Sequence, residues 1–499
     1  MKTYYSHKTN RYRGLLPFAF CLPAAIGILF TFFAGCKKFV EIPPPTTQLV
    51  NTTVFNNDGT ATAAMMNIYV GMSSVQGISS ESYNMAESMG TYADELTLYD
   101  NSTDVYNQLY INALQATSAP GPWVNAYNYI YQANAIISGL QTVGGTSPAI
   151  RQQLTGESYF IRAFWHFYLA NIYGDVPLVL TPNYTTNATL PRTARVTVLQ
   201  QVAADLQTAN RMLNSNYVDG SDTTATTERV RPNKAAALAL LARTYLYLGD
   251  YSKNAAYYTR ADSAATAVIS NSNYSLSALN GVFLENSTEA IWQLQTPQPN
   301  APADTYDGLY FILLGAASAG GSGQNQTTIS PQLMAAFEPN DQRNTTWISS
   351  FSDGINIYYF PFKYQQNTNA GLEYTMVLRL GEQYLVRAEA RAHEGNITGA
   401  QQDLNVIRSR AGLAGTTAAA QSALLTAILH ERQVELFTEW GARWFDLCRT
   451  GNANAVMGAP GNVCKFKGGV WSGTGYQLLF PIPRTDIQAD PNLKQNPGY

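Results

Sequence analysis

The sequence predicts a mostly α-helical protein carrying long, aromatic, irregular loop insertions. Three observations lead there. Apolar residues recur at helical spacing through 127–137, 152–172 and 196–213. Two stretches, 234–269 and 376–411, read as helix pairs rich in Ala and Tyr. Two others, about 79–122 and 276–367, have no helical period and are dense in Tyr, Asn, Gln, Ser and Gly. Loops of that length in a compact chain are functional or disordered, and their aromatic content argues against disorder. With 499 residues and 45% of them hydrophobic, the chain can bury a large core, in one body or two lobes.

The chain opens on a basic head, Lys2, Lys8, Arg11 and Arg13, followed by an apolar run from Leu15 to Phe33 and then Ala34-Gly35-Cys36. Basic, apolar, small-small-Cys is the order of a secretory signal over 1–35. It resembles a bacterial lipoprotein signal, which implies that Cys36 is lipidated and that acyl chains hold the protein on a membrane. The alternatives are an uncleaved spanning anchor and a secreted chain without lipid. Pro17 and Pro23 disfavour a continuous helix, and a small pair before a cysteine has no role in a plain anchor. Phe33 stands where such signals usually carry Leu. Residues 36–50 form a tether in which Pro43-Pro44-Pro45 favours an extended spacer. The folded body is expected over 51–499.

Loss of 1–35 removes four basic residues and no acidic one, which takes the formal charge from −3 to −7. A mildly acidic chain is a poor partner for nucleic acid, and none is expected. Of the four cysteines, Cys21 leaves with the signal and Cys36 carries lipid. Cys448 and Cys464 remain, as a disulfide or as two buried thiols.

Within the body, Tyr127, Ile130, Tyr131, Asn134 and Ile137 share one helical face, with Gly139 near its end. Gln152 to Ile172 is a longer aromatic helix. Tyr173-Gly174-Asp175-Val176-Pro177 stops it, Gly by permitting positive φ and Pro by removing a donor. Val196 to Leu213 is amphipathic. Lys234–Leu248 and Asn254–Ile269 pair around Gly249-Asp250-Tyr251, and Met376–His393 and Thr398–Ala411 pair around Gly395-Asn396. Both pairs resemble tetratricopeptide hairpins. Ala242 and Gly249 repeat in Ala388 and Gly395, 146 positions on, which describes an interrupted scaffold rather than a tandem array.

Glu431, Glu435, Glu439 and Arg443 recur every fourth residue and are expected on one helical face. The reading is structural: Glu439 pairs with Arg443 while Phe437, Trp440 and Trp444 pack inward, and Asp446 and Arg449 stitch the segment to the core. His166, among Phe164, Trp165 and Phe167, reads as a core histidine, and His393 and His430 lack ligand spacing. There is no HExxH, P-loop, GxSxG or dinucleotide fingerprint. No catalytic residue, cofactor or metal is assigned. Asp94 and Glu95, being adjacent, make a weak acid–base pair. Calcium on loop carboxylates stays open, without EF-hand spacing.

The binding expectation rests on the aromatic insertions. Apolar sugar faces can lie on Tyr or Trp, while hydroxyls meet Asn, Gln or Asp. The candidate ligand-binding residues are Tyr92, Tyr99, Asn101, Asp104 and Tyr106 in the first insertion and Tyr306, Asp307, Tyr310 and Gln324 in the second. At each tyrosine a merely packed or solvated ring is the alternative.

Three blocks then point to one family: GESYFIRAFWHFYLANIYGDVPLV (156–179), RLGEQYLVRAEARAHEGNITGAQQDLNVIRSRAGL (379–413) and ERQVELFTEWGARWFDLCRTG (431–451), the last followed by the terminal LFPIPRTDIQADPNLKQNPGY. Together they resemble the SusD/RagB family of nutrient-uptake outer-membrane lipoproteins. That resemblance implies a SusD-like helical scaffold with tetratricopeptide-like pairs and a place on the outer face of the outer membrane. It implies capture of a glycan, or of a peptide in some members, and delivery to a SusC-like TonB-dependent transporter. It implies no enzyme activity. No binding residue transfers by motif. The rival expectations are a surface glycoside hydrolase, which needs two carboxylates roughly 5–10 Å apart across a cleft, and a tetratricopeptide-type scaffold that binds only protein.

Overall fold

The computed structural model describes residues 51–74, 79–80, 83–99, 104–118, 120–221, 224–298, 301–315 and 326–499. Cys36, the signal, the tether, Asn101 and Gln324 lie outside the described residues. The longer helices are α1 (Asp58–Ser73), α2 (Met85–Tyr92), α3 (Asp104–Tyr110), α4 (Trp123–Thr142), α5 (Pro148–Tyr173), α6 (Arg195–Met212), α7 (Lys234–Ser252), α8 (Ala256–Ile269), α9 (Leu380–His393), α10 (Ile397–Arg410), α11 (Gln421–Glu435) and α12 (Ala442–Arg449). The longer strands are β1 (Leu96–Leu98), β2 (Ala290–Leu294), β3 (Thr327–Ile329), β4 (Ile348–Ser352), β5 (Ile357–Pro361) and β6 (Thr375–Arg379), and they pair two by two, β1 with β3, β2 with β6 and β4 with β5.

The helices pack in sequence from α4 to α10, each against the next. α5 is the spine of the first half. Pro148 opens it, where a missing N–H costs nothing. Gly174 closes it at φ +78, its backbone N–H donating to the Ala170 carbonyl. Nearly all of its last five turns is buried. Phe160 and Phe164 meet Trp292 of β2 edge-on, with ring centroids 5.0 and 5.3 Å apart. His166 is a core residue as expected: Val179 N donates to its Nε2 at 3.3 Å, and burial drives its pKa down to about 3.

The two helix pairs exist with shifted edges. Gly249 lies inside α7, not in the turn, because α7 runs on to Ser252 and Lys253 takes the left-handed cap at φ +55. Gly249 is instead a contact point: a Cβ there would stand 2.5 Å from the Tyr258 ring of α8. The second pair begins later than the period suggested. Met376 to Arg379 belongs to β6, a fully buried run that pairs antiparallel with β2, and the helix starts at Leu380. Although far apart in sequence, the pairs stack in space, α8 against α9.

The insertion 79–122 is not simply irregular, since it contains α2 and α3. Every residue of α2 is buried, so its sequence shows no apolar–polar alternation to read.

The segment 431–449 breaks the expected single face. α11 ends at Glu435, and Thr438 (φ +53), Trp440 (φ +52) and Gly441 (φ +77) turn the chain before α12. Glu439 and Arg443 therefore do not pair. Glu439 meets Lys363 at 2.5 Å and Arg379 at 2.7 Å, and Arg443 meets Asp94 at 2.7 Å. Phe437, Trp440 and Trp444 do pack inward. Glu435 is the hub of a buried network that takes Arg379 at 2.6 Å, Arg343 at 2.9 Å and Arg410. Burial opposes its charge, but the guanidiniums of Arg410, Arg379 and Arg343 hold its carboxyl well below the usual range. Arg449 ties α12 to Asp250 and Glu389, and Asp446 of the same helix ties it to Arg432 of α11, as the stitching role requires. Cys448 and Cys464 are both free thiols. Burial pushes the Cys448 thiol up to about 12.

Candidate ligand-binding site

The two aromatic insertions come together in one joint. β1 and β3 pair antiparallel, Leu96 opposite Ile329 and Leu98 opposite Thr327, and Tyr99 N continues the ladder to Gln326 O at 2.7 Å. Beside this ladder, Asn84 caps α2 by accepting from Glu87 N at 2.9 Å, while its Nδ2 donates to Asp307 Oδ1 at 2.7 Å. Glu87 is the centre. It accepts from Tyr106 OH at 2.6 Å and from Thr327 Oγ1 at 2.9 Å. One carboxylate and one amide thus join residues of both insertions.

The joint suppresses charge. Burial raises Glu87 to about 7, with a further push from the Asp307 carboxylate, while the hydrogen bonds from Tyr106 and Thr327 pull it back. Burial raises Asp307 to about 6, against the hydrogen bond from Asn84. Glu95 rises to about 8 through burial and the adjacent Asp94. At pH 7 Glu95 is then mostly protonated, Glu87 about half so and Asp307 still mostly ionised, so the joint carries less negative charge than three ordinary carboxylates would.

Along the rim, Tyr99 is half-buried and sets its edge against Tyr358 of β5, with ring centroids 4.6 Å apart. Tyr359, on the same strand, is exposed, as is Asp104 at the start of α3. Of the candidates, then, Tyr99, Tyr106 and Asp104 sit in or around the joint with accessible surface. Asp307 is inside it. Tyr306 and Tyr310 are buried and stack on each other at 6.2 Å, so they form its packing rather than an open face. Tyr92 is fully buried between Trp444 and Phe480, and its OH donates to Gln477 O at 2.8 Å. As placed, it offers no face to a ligand. Asn84, Glu87 and Thr327 belong to the joint although tyrosine density does not mark them. The Asn-x-x-Glu spacing of 84–87, a helix-start pattern, was the available signal for two of them.

Among the described residues one group has metal-like spacing: Asp250, Glu389 and His393 bring ligand atoms within 4.8 Å of one another. Arg449 Nη1 donates to Asp250 at 2.5 Å and to Glu389 at 2.6 Å, so one guanidinium already bridges both carboxylates. This donor set fits an ion-pair network better than a cation site.

The sequence pattern of the SusD family matches residues 179–499, and that of a family described as starch-binding associating with outer membrane matches residues 41–246. The chain is 24% identical over 439 residues to SusD-like protein P38 of Formosa agariphila, covering 76% of this chain and 79% of that one. It is 32% identical over 167 residues to the starch-binding protein SusD of Bacteroides thetaiotaomicron, covering 31% of this chain and 28% of the other. Its fold superposes on a laminarin-binding SusD-like protein with a TM-score of 0.71 at 22% identity, over 89% of this chain and all of that one. The helical scaffold, the order of its blocks and a match over well more than half its length agree, and the chain belongs to the SusD/RagB family.

Proposed function

We propose that this protein is a non-enzymatic, glycan-binding lipoprotein of the outer membrane, anchored through Cys36, that captures oligosaccharides at the insertion joint and passes them to a SusC-like TonB-dependent transporter. Membership of a family whose named relatives bind starch or laminarin supports the ligand class. The observation that carries the location is the joint itself, where two tyrosine-rich insertions meet and leave Tyr99 partly accessible beside carboxyls whose charge burial reduces. A neutral, hydroxyl-rich ligand matches that chemistry. Glu87 and Asp307 are buried and already hydrogen-bonded, so neither faces a cleft as a hydrolase carboxylate must. Weak capture suffices when the receiving channel is adjacent, because the effective concentration there is high.

Affinity electrophoresis of the protein in gels containing laminarin or starch tests the ligand class, with Tyr99→Ala as the site variant. Retardation of the wild type and its weakening in the variant are expected. Retardation unchanged by Tyr99→Ala moves the site elsewhere, and release of reducing sugar on long incubation would turn the reading to a hydrolase. Co-purification of a TonB-dependent channel from detergent-solubilised membranes tests the partner.

A further inference from the structure

Most buried glutamates of this protein are matched with arginine. Glu157 meets Arg231, Glu382 meets Arg243 and Glu389 meets Arg449. Glu289, Glu431 and Glu435 share Arg343, Arg379 and Arg410. Glu87, at the centre of the joint, is an exception. It is 1% exposed, and its carboxylate meets two hydroxyls, Tyr106 OH at 2.6 Å and Thr327 Oγ1 at 2.9 Å. Among the described residues no salt bridge reaches it, and the charge that acts on it, Asp307, has the same sign.

The elements packed on α2 supply no free counter-charge. α3 presents the Tyr106 hydroxyl, while Tyr110 turns to Thr97 at 2.8 Å. The short helix Tyr306–Phe311 presents Asp307 and, against Tyr106, Tyr310. β3 presents the uncharged Thr327, and β1 is Leu96-Thr97-Leu98. On α12, Arg443 is taken by Asp94 at 2.7 Å. Lys467 stands at the far end of α2, where its Nζ donates to the carbonyls of Thr91, Tyr92 and Ala93 at 2.7, 3.2 and 2.9 Å. Lys363 acts on Asp307 but is bound by Glu439 at 2.5 Å.

Protonated, Glu87 satisfies both neighbours, its O–H donating to Tyr106 while its other oxygen accepts from Thr327. Ionised, it accepts from both but becomes a buried charge without a counter-ion, which is costly where water is shut out. Burial accordingly raises its pKa to about 7. Admission of water relieves the charge, and the nearest weak point is what Glu87 holds: the β1–β3 ladder has three residue pairs, and Thr327 belongs to the last of them. We propose that Glu87 is a pH-sensitive latch on the insertion joint, which holds α2, α3 and β3 together when protonated and lets the β1–β3 ladder open when ionised. Its effect on capture, stronger in acid than in alkali, rests on the reading of the joint as the ligand site. The latch itself does not.

The test is hydrogen–deuterium exchange of the full chain without ligand, corrected for the intrinsic dependence of exchange on pH. The variants are Glu87→Gln, which keeps one donor and one acceptor but never ionises, and Asp307→Asn. In the wild type, protection of the amides of 96–99 and 327–330 is expected to fall by about tenfold or more between about pH 5 and about pH 8, while α5 stays protected. Glu87→Gln is expected to stay protected throughout, and Asp307→Asn to retain a fall. Constant protection in the wild type, an undiminished fall in Glu87→Gln, or an equal fall in α5 overturns the latch. With no ligand present, each of these outcomes stands whether or not the protein binds glycan, so failure of the latch and failure of the glycan reading are separate results.

Discussion

Tyr258 lies flat on His393, their ring centroids 4.0 Å apart and their planes 6° from parallel. This contact fastens the first helix pair to the second. Asp262 with Arg391 at 3.2 Å and Thr266 with Arg387 at 3.3 Å extend the same seam. Tyr258 is held from three sides: His393 covers one face, Asp250 takes its hydroxyl at 2.9 Å, and the bare Cα of Gly249 accepts its edge.

Gly249→Ala is therefore expected to destabilise the protein by about 1–3 kcal/mol, the cost of overpacking a filled contact. Within an α-helix the exchange would otherwise gain roughly 1 kcal/mol, so the sign reports the packing. Urea unfolding measures it, and a stabilised variant would mean that Tyr258 swings away freely.

Glu435→Ala removes the carboxylate shared by Arg379, Arg343 and Arg410 and leaves their charges buried. The expected loss is about 3–5 kcal/mol. Asp262→Ala, whose pair with Arg391 is partly exposed, should cost under about 1 kcal/mol. Denaturant midpoints of the two variants side by side decide whether burial sets the difference.

Glu87 makes stability depend on pH. Its folded pKa, about 7, lies above its ordinary value of 4.5. Between these values the folded state binds more protons than the unfolded, so its contribution is full below pH 4.5 and is lost as pH rises through 7. Glu87→Gln should flatten this part of the profile, by on the order of 1–3 kcal/mol between pH 5 and 8. Unfolding midpoints at several pH values check it. An unchanged slope would assign the dependence to Asp307, which falls in a similar range.

Cys464, which is buried, and Cys448, which is partly buried with its thiol pushed up to about 12, should react slowly with iodoacetamide in the folded protein and both react readily after unfolding without reductant. Mass spectrometry counts the adducts. Lack of reaction at either residue in the unfolded chain would indicate a disulfide.

The scaffold was legible where one face is buried and the other is wet. α6, α8 and α10 follow that rule, while α5 and α7, buried on nearly every side, are legible from their length and apolar content; the ends lie close to the positions of Gly174, Leu213 and Gly395. α2 escaped because it is only eight residues long and buries Glu87, Ser88 and Thr91 beside its apolar residues. The four-residue spacing from Glu431 to Arg443 misled, since left-handed Thr438 and Trp440 interrupt it and such residues are seldom recognisable there. The site was half legible. Tyrosine density found the insertions, but their meeting through Asn84, Glu87 and Asp307 depends on pairs such as Asn84 and Asp307 that no local pattern relates.

The pairing of Leu96 with Ile329 has a kinetic corollary. Nearly half of the chain must be closed into a loop before that ladder can form, and its few hydrogen bonds repay the entropy only after the intervening helices have compacted. The order of assembly is thus scaffold first and joint last. A newly made chain would complete its helical body first, and the joint proposed above as the ligand surface would form only once that body exists.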